Sequence, residues 1–155
     1  MNISNYLHSE DCIMELKARN KEEAIREISE NLFNKGKILD LEGFIKDVLE
    51  RERLGSTGIG HSIALPHART QTVNGFIIGF GKSTKGIDFN SIDGQPVNII
   101  FLMGASINEL NHYLRLLAEL SKLLMNPSFR NKLLSAKTPQ DVIETVKIFE
   151  TNSFK

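Results

Sequence analysis

Apolar side chains recur every three or four residues in two stretches near the start of the chain, which predicts two amphipathic helices. The positions are Ala24, Ile25, Ile28 and Leu32 in the first stretch, and Leu41, Phe44, Ile45 and Val48 in the second. Asn20 is placed as the first N-cap, with Glu23 at capping-box spacing, and Gly36 follows the helix as a C-terminal glycine. Asp40 is placed as the second N-cap. The first helix is therefore expected to span about residues 21–35.

Short apolar runs without helical spacing predict the strands of a sheet. They cover residues 12–17, 75–80 and 97–103, and Ile87 and Phe89 add a further alternation. A shorter apolar segment, residues 63–65, leads into Pro66. Four or five short strands among amphipathic helices indicate an α/β fold.

A third helical region begins at about Asn108, where leucines recur at helical spacing. Its expected apolar face consists of Leu110, Leu114, Leu117, Leu120, Leu124 and Met125. Asn126-Pro127 and Thr138-Pro139 each have the pattern of an N-cap followed by proline, which predicts two more helices. With 155 residues, the chain is expected to form one α/β domain over residues 1–155, with a mixed sheet of about five strands flanked by helices.

The composition narrows the possible functions. Lys plus Arg and Asp plus Glu each number 19, so the net charge gives no reason to expect binding to nucleic acid or to an anionic membrane. Cys12 is the single cysteine, which excludes an intrachain disulfide and a multi-cysteine zinc cluster. The sequence has no signal-peptide pattern and no apolar run approaching eighteen residues, so we expect a cytoplasmic protein without direct membrane insertion.

The candidate chemistry lies in the segment from Arg51 to Arg69, RERLGSTGIGHSIALPHAR. Its centre is a loop of small residues, in which glycines admit backbone angles closed to other residues and let N–H groups turn toward an anion. The loop residues are Ser56, Thr57, Gly58, Ile59 and Gly60. They form a candidate phosphate-binding site.

His67 follows Pro66, a residue that fixes its own φ and holds the preceding residue extended. Imidazole has an unperturbed pKa of about 6.5, so a substantial neutral and nucleophilic fraction exists at physiological pH. His67 is therefore a candidate phosphoryl acceptor. The alternative is a hydrogen-bonded structural histidine.

Two further charged or polar side chains have two interpretations each. The positions that continue the apolar face of the second helix are occupied by Arg51 and Glu52. In one interpretation this is an ordinary solvated helix end. In the other, Arg51 points inward toward the loop and Arg53 lies on the surface. His112 lies near the N-terminus of the long helix, where the helix dipole favours an anion. It is either a functional group there or a polar first-turn residue facing water.

The pattern RE-x-x-GSTGIG-x-x-IALPHA resembles the signature of the type-2 IIA components of the bacterial phosphoenolpyruvate-dependent sugar phosphotransferase system, the fructose, mannitol and nitrogen-regulatory family. A second segment, NHYLRLLAELSKLL from Asn111, is similar to a downstream element of the family, and the likeness covers essentially the whole chain. The resemblance implies a phosphotransferase without a cofactor, which accepts a phosphoryl group on His67 from the phosphocarrier protein HPr or from the nitrogen-branch relative of HPr. It implies that a IIB component is the acceptor in sugar transport.

The resemblance also implies the roles of individual residues. Nε2 of His67 is the implied acceptor atom, Arg51 the implied assisting arginine, and His112 the implied second active-site histidine, lying against His67. Charge stabilisation by Arg51, His112 and the N–H groups of the loop then accounts for catalysis.

Three interpretations of function remain open at the level of sequence. The first is a phosphoryl-transfer component of sugar uptake, and the second is a regulatory module whose phosphorylation on His67 controls binding to a target protein. The third is a zinc site formed by His61, His67 and His112, although the sequence lacks two closely spaced ligands in a fixed register. In the first two interpretations no metal is expected and His61 is a loop residue.

Overall fold

The computed structural model describes residues 2–153 of the protein, which contain five α-helices and six strands. The helices are α1 (Lys21–Asn34), α2 (Leu41–Leu54), α3 (Leu110–Leu124), α4 (Pro127–Ser135) and α5 (Pro139–Ser153). The strands are β1 (Cys12–Ile13), β2 (Gly58–Gly60), β3 (Ile63–Ala64), β4 (His67–Thr70), β5 (Phe76–Ile87) and β6 (Val97–Ser106). Two 3₁₀ turns, Ile3–Asn5 and Ser9–Asp11, precede β1. The predicted α/β class is confirmed.

The six strands form one mixed sheet in the order β1-β5-β6-β3-β2, and β4 pairs with β6 next to β3. β5 and β6 are antiparallel, as are β2 and β3. β1 is parallel to β5, and both β3 and β4 are parallel to β6. β6 therefore supports β3 and β4 in succession.

β6 is buried on both faces, which explains its uninterrupted apolar sequence. Ile99, Phe101 and Met103 pack on one side into a core with α3, α4 and α5. Ile100 and Leu102 pack on the other side with α1 and α2. Alternation along a strand thus places the sheet between two layers of helices.

The predicted starts of α1 and α2 are confirmed by their capping bonds. Oδ1 of Asn20 accepts the Glu23 N–H at 2.9 Å, and Oδ1 of Asp40 accepts the Gly43 N–H at 3.1 Å. The Glu23 carboxylate accepts the backbone N–H of Arg19 at 3.0 Å, so the return bond of the capping box is made one residue earlier than the pattern predicts.

β1 is shorter than the predicted strand over residues 12–17. After Ile13 the chain leaves the ladder, and the Glu15 carboxylate accepts the backbone N–H of Thr84 at 3.0 Å. The Glu15 side chain thus interrupts the ladder, and main-chain bonding resumes at Leu16, whose N–H donates to the Lys82 carbonyl at 2.7 Å.

Two glycines let α1 and α2 approach the sheet closely. A Cβ atom on Gly79 of β5 would lie 2.6 Å from Cγ2 of Ile28, and one on Gly104 of β6 would lie 2.7 Å from Cε1 of Phe44. Gly104 pairs with Ala68 of β4. The end of the sheet that carries β4 is therefore held against α2.

The buried face of α3 differs from the predicted one. Leu110, Leu114 and Met125 are 42%, 51% and 78% exposed, so the prediction is wrong for these three. The buried residues are Tyr113, Leu116, Leu120, Leu123 and Leu124. Leucines occur at helical spacing on two adjacent faces of this helix, and packing against the sheet selects the face that begins with Tyr113.

His61 and Ser62 form the two-residue turn between β2 and β3. Both have positive φ angles, 55° and 68°, which is the backbone of a type I′ hairpin turn. His61 is exposed, and its N–H donates to Oδ2 of Asp93 at 3.1 Å. The expectation that His61 is a loop residue is confirmed.

Candidate active site

His67 is the first residue of β4, and the backbone around it is bonded on both sides. It pairs with Met103 of β6, whose N–H donates to the Pro66 carbonyl at 3.0 Å. Before Pro66, the Leu65 N–H donates to the Thr57 carbonyl at 3.0 Å. The imidazole is therefore carried by a rigid strand end.

The imidazole of His67 has a defined tautomer. Its Nδ1 lies 2.7 Å from the Leu65 carbonyl oxygen. A carbonyl oxygen only accepts hydrogen bonds, so Nδ1 carries the proton and donates it. Nε2 therefore keeps its lone pair and is the nucleophilic atom of the ring.

The surroundings of His67 keep the ring neutral. Burial lowers the pKa of His67 below its usual value of 6.5, and the positive charge of Arg51 lowers the pKa further. The hydrogen bond to Leu65 and the negative charge of Glu52 act in the opposite direction but are outweighed. At neutral pH the ring is therefore unprotonated at Nε2.

We expect ¹H–¹⁵N NMR of the folded protein to show His67 as the Nδ1–H tautomer, titrating with a midpoint below 6.5. Because the pKa is lower in the folded chain than in the unfolded chain, acid destabilises the fold through this group. The free energy of unfolding should therefore fall as the pH drops from the unfolded value, about 6.5, toward the folded value, and this group should have no effect above that range. The urea-unfolded chain is the reference for the titration. A midpoint at or above the reference value, or an Nε2–H tautomer, would contradict the assignment.

An open cavity of about 470 Å³ lies beside His67, between α2, β4 and α3. Its lining combines a neutral imidazole, two guanidinium groups, two carboxylates and a phenol. The lining residues are Asp47, Glu50, Arg51, Leu54, His67, Ala68, Arg69 and Tyr113. The cavity is large enough to hold a phosphoryl group on the ring.

Arg51 reaches this cavity from the last turn of α2. Its Nη1 donates to the Gly55 carbonyl at 2.9 Å, a bond that orients the guanidinium next to the end of the helix. The neighbouring Arg53 is exposed. Of the two interpretations of Arg51, the structure favours the one in which it faces the site.

Arg69 is a second guanidinium in the cavity and is absent from the predicted site. It lies two residues after His67 on β4, and residues two apart on a strand point to the same face. The sequence did not predict a strand over residues 67–70, so it did not place Arg69 on the same face as His67.

Glu52 is buried and holds the loop that follows α2. Its carboxylate accepts the Thr57 N–H at 3.2 and 3.3 Å, accepts the Thr57 hydroxyl, and pairs with Nζ of Lys21 at 3.0 Å. Arg51 thus faces the cavity, whereas Glu52 holds the loop that follows α2.

The loop Ser56–Gly60 does not line the cavity beside His67. Its N–H groups at Thr57 and Gly58 are bonded within the chain, to Glu52 and to Oγ of Ser56, and residues 58–60 form β2. Phosphate binding by Ser56, Thr57, Gly58, Ile59 and Gly60 stays a prediction, and these internal bonds count against it.

His112 lies on α3 but faces away from His67. Its Nε2 is 3.1 Å from the Tyr6 hydroxyl, its Nδ1 is 3.6 Å from the Glu109 carboxylate, and its ring stacks on Phe76 with a centroid distance of 5.8 Å. Within residues 2–153, no hydrogen bond or ring contact joins His112 to His67. The implied contact between the two histidines is therefore not made, because α3 turns Tyr113 toward His67 instead.

The structure does not assemble the alternative zinc site. In the part of the chain that is described, no group of three or more His, Cys, Asp or Glu side chains is placed to hold a metal ion. His61, His67 and His112 lie in a hairpin turn, at a strand start and on α3, respectively.

None of the helices formed by residues 2–153 has the length and apolar character needed to cross a membrane.

A neutral imidazole with a free ring nitrogen, sharing a cavity with two guanidinium groups, is suited to phosphoryl acceptance. Comparison with known proteins agrees with this chemistry. The family described as phosphoenolpyruvate-dependent sugar phosphotransferase system, EIIA 2, matches residues 5–148, and the chain belongs to this family. It is thus a member of the IIA phosphocarrier proteins, which transfer phosphoryl groups.

Relatives in this family carry different roles in their names. The chain is 36% identical over 146 residues to the fructose-specific EIIABC component of Bacillus subtilis (strain 168), which covers 94% of this chain but only 23% of that protein. It is 34% identical over 122 residues to the fructose-specific EIIA component of Haloferax volcanii, covering 79% of each. It is also 28% identical over 153 residues to the nitrogen regulatory protein of Bradyrhizobium diazoefficiens, covering 96% of each.

Solved structures share the fold. The nitrogen regulatory protein IIA-Ntr from Neisseria meningitidis superposes with a TM-score of 0.87 at 24% identity, covering 93% of this chain and 98% of that one. The complex of enzyme IIAMTL with phosphorylated enzyme IIBMTL from Escherichia coli gives a TM-score of 0.76 at 26% identity, covering 91% of this chain and 96% of that one.

Proposed function

We propose that the chain accepts a phosphoryl group on Nε2 of His67 from an HPr-type phosphocarrier protein and passes it to a IIB component in fructose- or mannitol-type sugar uptake. The observation that carries the proposal is the 2.7 Å bond from Nδ1 to the Leu65 carbonyl, which leaves Nε2 as the free nitrogen of a neutral ring. Membership of the IIA family supports the reaction class.

The step is a transfer between two imidazoles. The lone pair on Nε2 of His67 forms a new N–P bond while the N–P bond of the donor's phosphohistidine breaks, and that electron pair returns to the donor nitrogen. In the delivery step a nucleophile of the IIB component forms a new bond to phosphorus while the N–P bond on His67 breaks, and that electron pair returns to Nε2. No metal or other co-reactant is required for this balance.

Arg51 and Arg69 stabilise the charge of the phosphoryl group during the step. Both guanidinium groups line the cavity that contains His67. Guanidinium pairs with phosphoryl oxygens through charge-assisted hydrogen bonds, which are stronger than those between neutral groups. Preorganised positive charge of this kind accounts for most of the catalysis expected in phosphoryl transfer.

The surface around the cavity suits a protein partner. Leu54, at the end of α2, lines the cavity and is 85% exposed. An apolar side chain beside a charged cavity gives a docking protein a contact that excludes water from the transfer. The relatives named for fructose support a sugar-uptake role, and the IIA–IIB complex from Escherichia coli supports a IIB component as acceptor.

The second candidate function is a regulatory protein, in which the phosphorylation state of His67 controls binding to a target protein. The similarity to the nitrogen regulatory protein of Bradyrhizobium, over 96% of both chains, supports it. The chemistry at His67 is the same in both candidates, and only the protein that reads the phosphorylated form differs.

The test is to incubate the purified chain with phosphoenolpyruvate, enzyme I and HPr, and to measure intact mass before and after mild acid. We expect one added phosphoryl group that acid removes, as for an N–P bond. Purified fructose- and mannitol-type IIB proteins are then added, and loss of the group to one of them supports the uptake role.

Two other outcomes have definite meanings. Loading without transfer to any IIB protein, together with a change in affinity for a target protein, favours the regulatory role. Absence of loading by HPr and by its nitrogen-branch relative contradicts the phosphocarrier function of this chain.

A further inference from the structure

Tyr113 occupies the place on α3 that faces His67. The two rings lie 5.9 Å apart between centroids, at an interplanar angle of 51°, and both side chains line the same cavity. The ring of Tyr113 belongs to the core on the α3 side of the sheet, and the residue is 7% exposed. The phenol is therefore held firmly with its remaining exposed surface at the cavity.

The hydroxyl of Tyr113 has no hydrogen-bond partner among residues 2–153. A tyrosine buried to this extent usually bonds its hydroxyl to the protein. The hydroxyl oxygen is not fully enclosed, so it retains access to the cavity. An unpaired donor is thus present in the cavity that a phosphoryl group on Nε2 would enter.

The two charged side chains that act on this phenol are both positive, although Asp47 and Glu50 also line the cavity. The positive charges of Arg51 and Arg69 both act on the phenol, from α2 and from β4. The imidazole of His112, by contrast, has Nε2 within hydrogen-bond distance of the Tyr6 hydroxyl and stacks on Phe76, so it is directed toward Tyr6 and Phe76.

We propose that Tyr113, rather than His112, is the α3 residue that contacts the phosphoryl group on His67, by donating a hydrogen bond from its hydroxyl to a phosphoryl oxygen. This inference rests on the proposed phosphocarrier function. Together with Arg51 and Arg69, it gives the cavity three donors that reach it from three different elements of the fold.

A phenol in this position has a chemical consequence. Burial raises the pKa of Tyr113 to about 12, and the two arginines only partly offset this effect. The hydroxyl therefore stays protonated throughout the neutral range, and its contribution does not depend on pH there. A histidine in the same place would change its charge between about pH 5 and 8.

The test compares Tyr113→Phe with Tyr6→Phe, because these are the two tyrosines of the chain and each variant removes one hydroxyl. Tyr113→Phe keeps the packed ring and removes only an unbonded group, so the thermal unfolding temperature should stay within a few degrees of the original. The rate constant of phosphoryl acceptance at saturating phospho-HPr should fall about tenfold to a hundredfold, the effect of losing one hydrogen bond to a charged group. KM for phospho-HPr should be unchanged. The ratio of the acceptance rate of Tyr113→Phe to that of the original chain should stay constant across neutral pH.

Tyr6→Phe removes the hydroxyl that bonds His112 and should leave the acceptance rate unchanged. Equal acceptance rates for Tyr113→Phe and the original chain would overturn the inference. Slow acceptance by Tyr6→Phe together with normal acceptance by Tyr113→Phe would also overturn it and would favour His112 as the contacting residue. Both results require that the original chain is loaded, so they are distinct from a failure of the phosphocarrier function, in which no chain is loaded.

Discussion

A His67→Ala variant is expected to accept no phosphoryl group from phospho-HPr. Among residues 2–153, the imidazole is the nucleophile for which the geometry provides a fixed tautomer, a lowered pKa and two guanidinium groups in the same cavity. Alanine removes the nitrogen that forms the N–P bond, so the loss should be complete rather than partial. Intact mass after incubation with phosphoenolpyruvate, enzyme I and HPr measures it directly.

His61→Ala is the matched control for this variant. His61 is an exposed histidine in the β2–β3 turn, six residues earlier in the chain, and should leave loading unchanged. His67→Ala loses one hydrogen bond to the Leu65 carbonyl, worth about 1 kcal/mol, so it should remain folded at room temperature. An acid-labile phosphoryl group on folded His67→Ala would show that another residue is the acceptor.

A Glu52→Ala variant is expected to lose about 3 kcal/mol of the free energy of unfolding. The Glu52 side chain is 4% exposed and is the partner of both the Thr57 N–H and the Lys21 ammonium, and Lys21 is itself only 20% exposed. Its removal leaves a buried N–H and a largely enclosed positive charge without their acceptor. Urea unfolding followed by circular dichroism measures the change through the midpoint at constant slope.

Glu42→Ala provides the comparison on the same helix, because Glu42 also pairs with a cation, Arg26, at 2.8 Å, but does so in solvent. Its effect on the urea midpoint should be far smaller than that of Glu52→Ala. Glu52→Gln keeps an acceptor for Thr57 while removing the charge, and should lie between the two. If Glu52→Ala unfolded at the same urea concentration as Glu42→Ala, the anchoring role of Glu52 would be wrong.

Much of the fold follows from local sequence signals. The capping residues Asn20 and Asp40 each make the predicted bond, and β6 follows the apolar run at 97–103 and continues to Ser106. These features depend on residues near in sequence, where periodicity and capping chemistry act directly. The orientation of α3 did not follow, since Leu114 and Leu116 belong to two adjacent apolar faces and only contact with the sheet decides between them.

The candidate site was predicted in part. His67 and Arg51 were found from the signature, and the structure brings them to one cavity. The sequence did not place Tyr113 beside His67, because the resemblance assigned the second active-site position to the neighbouring histidine, and a shift of one residue turns a side chain by about 100° around a helix. Composition predicted an anion-binding loop at 56–60. It could not reveal that the N–H groups of Thr57 and Gly58 donate hydrogen bonds within the chain.

The hydrogen bond from His67 to Leu65 also bears on the direction in which the protein works. A ring that already holds its proton at Nδ1 becomes a phosphoimidazolium on loading and returns to the same neutral imidazole on unloading, so neither event moves a proton onto or off the ring. Loading from the donor and unloading to the acceptor would then both begin and end without a proton transfer at the ring, so each transfer would be readily reversible. The protein would act as a reversible store of transfer potential, and the relative abundance of phosphorylated donor and unphosphorylated acceptor would set the direction of flow.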